Sequence, residues 1–83
     1  MSAELTLYTR KECCLCTEMK ETVRRVVGKW PASLEEIDVD TSPELKALYG
    51  HEVPVLLING RKAFKYRLTA EELLRRLRRE LRR

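Results

Sequence analysis

Residues 5–16, Leu5-Thr6-Leu7-Tyr8-Thr9-Arg10-Lys11-Glu12-Cys13-Cys14-Leu15-Cys16, run from an apolar segment through four polar positions into a cysteine cluster. Glu4 to Tyr8 reads as a strand, with Leu5, Leu7 and Tyr8 supplying its apolar mass. Thr9 to Glu12 reads as a turn. From about Cys13 to Val27 the residues Cys16, Met19, Val23, Val26 and Val27, with Trp30 beyond them, fall on one side of a helical wheel. That spacing predicts an amphipathic helix. Gly28 supplies its stop and Pro31 follows shortly after. The cysteines therefore sit where a strand gives way to a helix.

The rest of the chain repeats this grammar. Leu34 to Asp40 reads as a second strand, Ile37 and Val39 alternating with Glu36, Asp38 and Asp40 to give one dry and one wet face. Ser42 is a fitting N-cap with Pro43 at the first helical position. The short helix that follows carries Leu45, Leu48 and Tyr49, and Gly50 ends it. Val55 to Ile58 is apolar on both faces, as expected of a strand inside a sheet. Asn59-Gly60 is a strong hairpin signal because both turn positions need positive φ. Arg61 to Tyr66 returns as the partner strand, Lys62 and Lys65 suiting an exposed edge. Thr69-Ala70-Glu71-Glu72 is a capping box, opening a helix that buries Ala70, Leu73, Leu74, Leu77 and Leu81. The order β-α-β-α-β-β-α predicts an α/β domain spanning 1–83, with helices on both faces of a mixed sheet.

Composition sets the outer bounds. With 83 residues there is room for one modest core, since a chain this short buries only about 60% of its unfolded surface. A shallow surface site is therefore expected rather than an enclosed one. Charged residues make up 36%, against roughly 25% in an average domain. The net charge of +4 lies entirely between Arg67 and Arg83, where seven arginines face three glutamates. The body is then no general polyanion binder. The arginines form the polar face of a leucine-striped helix, with no interleaved aromatics for base stacking, so a solvated face is expected, docking to an acidic partner is the next reading, and no nucleic-acid partner is expected. No apolar run approaches the roughly 20 residues of a membrane span. Met1 to Thr6 has neither a basic nor an apolar region, so no secretory signal is expected. Together these predict a cytoplasmic, monomeric protein.

All three cysteines, Cys13, Cys14 and Cys16, fall within four positions. That is no disulfide framework of a small secreted domain. A single Cys-x-x-Cys without a signal points to a reducing compartment and to redox or metal chemistry. The first N–H groups of a helix are unpaired and favour negative charge. A thiol at Cys13 should therefore ionise more easily than a free one, aided by Arg10 and Lys11. On the wheel Cys16 joins the apolar arc of Met19, Val23 and Val27, Cys14 faces water beside Glu18 and Glu21, and Cys13 takes the exposed tip. An exposed attacking thiol one turn from a shielded resolving thiol suits disulfide exchange. Two other readings stand beside it: a carrier of zinc, copper or an iron–sulfur cluster through soft thiolates, and small apolar packing.

Leu7 to Cys16 resembles the strand-loop-Cys-x-x-Cys segment of glutaredoxins, and Val53-Pro54 resembles the hydrophobic-Pro pair before their third strand. The Asn-Gly hairpin and final helix follow in matching places. The resemblance implies a thioredoxin fold with strand order 2-1-3-4 and the third strand antiparallel to the first. It implies Cys13 as nucleophile, Cys16 as resolving thiol, and Pro54 as a cis-proline that exposes the Val53 backbone to a substrate. Arg10 matches a basic position that the family uses near a glutathione carboxylate. The implied activity is reduction of protein or mixed disulfides without a bound cofactor. Glutathione would be the co-substrate, or a thioredoxin-reductase-type enzyme would supply the electrons. The sequence departs from the family at Cys14-Leu15, where Pro-Tyr is usual. It departs again at Phe64 to Ala70, which lacks the Gly-Gly-x-Asp stretch that contacts glutathione.

Cys14 has no role in the resemblance. His51 reads as a loop residue after Gly50, with a general-acid role only if it reaches the cysteine loop. Trp30 and Tyr66 read as packing residues.

Overall fold

The computed structural model describes residues 3–81. The elements are β1 (Ala3–Thr9), α1 (Cys14–Val27), β2 (Ala32–Asp38), a 3₁₀ turn (Val39–Thr41), α2 (Pro43–Tyr49), β3 (Val55–Ile58), β4 (Arg61–Lys65) and α3 (Ala70–Leu81). The strands form one sheet in the order β2-β1-β3-β4. β1 runs parallel to β2 and antiparallel to β3, and β3 is antiparallel to β4.

Alternation along β1 explains the layering. Ala3, Leu5 and Leu7 point to one face and are at most 2% exposed. There they meet Met19, Val23 and Val26 of α1, Leu73 and Leu77 of α3, and Leu56 and Ile58 of β3. Tyr8 points to the opposite face, where its ring stacks on Tyr49 of α2 with centroids 4.5 Å apart. α1 and α3 thus cover one face and α2 reaches the other. Burial, reinforced by the Tyr49 phenol and Glu35, pushes the Tyr8 hydroxyl above its ordinary value. β3 is the doubly covered strand, with Val55, Leu56 and Ile58 all essentially inaccessible.

Local signals end the elements as their chemistry requires. Asn59 (φ 52°) and Gly60 (φ 83°) both take the left-handed region demanded by the two-residue hairpin. Asn59 also exchanges hydrogen bonds with Glu4, donating its N–H to the Glu4 carbonyl and accepting the Glu4 N–H on Oδ1. Ser42 Oγ accepts the Leu45 N–H at 3.3 Å, with Pro43 in the first turn. The Thr69 and Glu72 side chains accept each other's backbone N–H at 3.1 and 2.9 Å, completing the capping box.

Three expectations need correction. The second strand begins at Ala32 and ends at Asp38, two residues earlier than the alternation of Ile37 and Val39 suggests. Asp38 Oδ1 accepts the Asp40 N–H, which curls the chain into the 3₁₀ turn and buries Val39 there. α1 begins at Cys14, because Cys13 has extended dihedrals and acts as its N-cap. Tyr66 is not a packing residue: it is 42% exposed, with φ 68°.

Leu56→Ala should cost roughly 2–5 kcal/mol, because its side chain lies wholly inside the sheet–helix layer. Leu48→Ser, at a site 65% exposed, should stay within about 0.5 kcal/mol of wild type. Urea unfolding of both variants distinguishes this packing from one in which α2 buries Leu48.

Candidate functional site

The site stands at the sheet edge where β1 ends. Glu12 has φ 56°, turning the chain sharply before Cys13. Cys13 then caps α1: its Sγ accepts the Cys16 N–H at 3.2 Å. Its carbonyl accepts the Thr17 N–H at 3.2 Å and the Thr17 hydroxyl at 3.3 Å. A sulfur thus takes the place that an Asp or Ser oxygen ordinarily fills at a helix start. The Cys13 and Cys16 sulfurs are in disulfide contact, with Cα atoms 5.2 Å apart, inside the span that bridged cysteines adopt.

Exposure sorts the three thiols. Cys16 is 3% exposed and Cys14 is a free thiol facing solvent, as the wheel predicts. Cys13 is half-buried rather than fully exposed, because its sulfur turns inward toward the Cys16 amide and sulfur. Among the described residues no three His, Cys, Asp or Glu side chains converge as a metal site. Cys14, the third sulfur on which the carrier reading draws, is a free and exposed thiol.

A shallow groove of about 490 Å³ surrounds the pair, lined in part by Thr9, Arg10, Lys11, Glu12 and Lys20. Arg10 lies in it but is already engaged. Its Nε donates to Asp40 Oδ2 at 3.1 Å and its Nη1 to the Gly50 carbonyl at 3.4 Å. Lys11 is an exposed cation. Lys20 was not singled out from sequence, although it stands one helical turn beyond Cys16 and two beyond Cys13, a spacing that marks one helix face. It is shared with Glu36 at 3.4 Å. Asp40 was missed because nothing local couples it to Arg10.

Val53 and Pro54 lie outside the groove lining but on the same sheet edge. Tyr8 pairs with Val55, so Pro54 falls beside Thr9 on the next rung. The Tyr66 N–H donates to the Pro54 carbonyl at 2.8 Å, extending that rung to the residue after β4. The Val53–Pro54 bond is cis. The Val53 backbone N–H and C=O have no hydrogen-bond partner among the described residues. His51 is exposed in the turn after α2 and does not line the groove. Glu52 anchors the segment before Pro54 to β4, its Oε1 2.7 Å from Lys62 Nζ and its Oε2 3.7 Å from Lys65 Nζ.

A mixed sheet in this order, with a bridgeable Cys pair at the first helix and a proline opening the third strand, defines a thioredoxin-like dithiol protein. Residues 4–78 match the glutaredoxin-like domain (DUF836), and the chain belongs to that family. A solved protein from X. campestris is 29% identical over 90% of this chain and 96% of its own, with a TM-score of 0.76. One from Nitrosomonas europaea is 31% identical over 90% and 91%, with a TM-score of 0.75. The reduced desulfothioredoxin of Desulfovibrio vulgaris Hildenborough, 23% identical, covers 96% of this chain and 82% of its own at a TM-score of 0.71, a likeness of fold. An uncharacterized protein of Mycobacterium tuberculosis is 30% identical over 64 residues, 71% of this chain. The match spans 66% of that relative's length. Fold, family and the Cys13–Cys16 pair together give this chain a thiol redox character.

The hydrogen bond to Lys62 holds the Glu52 carboxyl below its ordinary value and raises Lys62 above its own. The pair therefore stabilises the fold fully above the carboxylate's unfolded value of about 4.5 and below the lysine's of about 10.5. It weakens as pH falls through the depressed carboxyl value or rises through the raised lysine value. Thermal melts of wild type and Glu52→Gln should differ most near neutral pH and converge in acid. A gap that persists in acid would assign Glu52 a role other than this ion pair.

Proposed function

We propose that the protein is a dithiol oxidoreductase that reduces protein or mixed disulfides. The observation that carries this reading is the helix-capping Cys13 sulfur within bridging reach of a buried Cys16. In the reduced protein, the Cys16 amide and the helix N-terminus favour the Cys13 thiolate. That thiolate attacks one sulfur of the substrate disulfide. A Cys13–substrate disulfide forms and the other substrate sulfur leaves as a thiolate, taking a proton from water. Cys16, as thiolate, then attacks the Cys13 sulfur, releases the second substrate thiol and closes the Cys13–Cys16 bond. Two electrons have passed to the substrate. An external dithiol reductant or two glutathione molecules return them.

In this reading the unpaired Val53 backbone pairs with an extended substrate segment as an added strand would, and Pro54 holds it beside the cysteines. Lys11, without an ion-pair partner among the described residues, meets an anionic substrate group. Arg10, tied to Asp40 and Gly50, shapes the loop and adds positive charge. Cys14 takes no part. The partners are a disulfide-bearing protein or small thiol and a reductant, glutathione or a thioredoxin-reductase-type enzyme, and a reducing cytoplasm suits the chemistry.

Cys13→Ser should abolish reduction of a model disulfide. Cys16→Ser should accumulate a mixed disulfide, seen as added mass that a reducing agent removes. Cys14→Ser should turn over close to wild type. Undiminished turnover in Cys13→Ser would remove the assignment.

A further inference from the structure

We propose a docking surface for an acidic polypeptide segment with an apolar anchor residue, at the end of α1 remote from the cysteines. α1 has 14 residues, so its C-terminus lies about 21 Å from Cys14 along the axis. There, α1 and α3 enclose a hollow of about 170 Å³ lined by Arg25, Val26, Lys29, Trp30, Ala70 and Leu74. Val26 is buried, and Trp30, Ala70 and Leu74 are half-buried, so the floor is apolar and reachable. The Arg78 guanidinium sits 6.0 Å from the centre of the Trp30 ring.

The rim is cationic and unneutralised. Arg24 is paired with Glu36, Arg75 with Glu71 and Arg76 with Glu80. Arg25 and Lys29, which line the hollow, and Arg78 over Trp30 are exposed and have no ion-pair partner among the described residues. An apolar centre within a charged rim is the ordinary anatomy of a protein interface, and Trp and Arg are the residues that most often dominate one. The complement of this surface is a carboxylate-rich stretch with one aliphatic or aromatic side chain to fill the hollow. Nucleic acid fits less well. Its bases need open aromatic faces, and Trp30 is half-buried beneath Arg78. A partner held here leaves the Cys13 groove open at the other end of α1.

Trp30 is the sole tryptophan, so its emission reads the hollow directly. The full chain is titrated with a short peptide of glutamates around a central leucine, a leucine-free polyglutamate and an oligothymidylate. The leucine peptide should give a saturable blue shift, weakened by salt. Arg25→Glu and Lys29→Glu, both at exposed positions, should each bind it roughly tenfold more weakly while their circular dichroism is unchanged. Disulfide reduction by wild type should continue with the peptide bound. The proposal is overturned by the absence of a saturable shift, by equal affinity for the leucine-free peptide, by tighter binding of the oligothymidylate, or by loss of turnover when the peptide occupies its site.

Discussion

A sulfur atom caps a helix. The Cys13 Sγ accepts the Cys16 amide, and the chemistry proposed for the site rests on that contact. A helix start has donors without partners, and a negative acceptor is the cheapest way to satisfy one. In the proposed reaction, once the Cys13–Cys16 bond is reduced, the same contact that starts α1 is what stabilises the attacking sulfur. Structural need and the proposed reactivity then share one atom. Cys16, three positions on, sits on the buried face for the separate reason that the core demands an apolar residue there.

The sheet exists to hold that contact steady. β1 is flanked by strands on both sides, and its Ala3, Leu5 and Leu7 lie in the main core. Its last residue, Thr9, delivers the chain to the turn at Glu12. The neighbouring rung brings Pro54 and Tyr66 to the same edge. Arg10 extends the support sideways, tying the loop to Asp40 after β2 and to the carbonyl of Gly50 after α2. A Cβ at Gly50 would collide with the Lys46 carbonyl oxygen, so that corner admits only glycine without a shift. The loop that leads to Cys13 is thereby braced by the chain that follows the second strand and the second helix.

What the residues foretold, and what they did not, divides along range. The Asn59-Gly60 turn, the Ser42-Pro43 helix start and the Thr69–Glu72 box are local chemistry, complete within four residues, and each is found where it was read. The doubly apolar Val55–Ile58 segment identified an inner strand because burial on both faces leaves no polar position. The sorting of Cys14 and Cys16 was legible from helical spacing alone. The end of β2 was not, because an Asp38 side chain competes with the ladder for the next backbone amide. Nor was the engagement of Arg10, whose partners lie 30 and 40 positions away. Tyr66 reads as a packing residue, yet the backbone after β4 takes a left-handed turn and the residue is 42% exposed.

β4 carries one more consequence. Leu56 faces Phe64 and Leu57 faces Lys62, so Ala63 is an extra residue that breaks the repeat. Lys62 and Lys65 flank the break, and both lean on Glu52. A foreign strand approaching that margin meets an interrupted ladder and two ammonium groups, a combination that discourages lateral stacking. On this side the sheet is protected against growing into aggregates, even though its sticky inner strand lies only one position away.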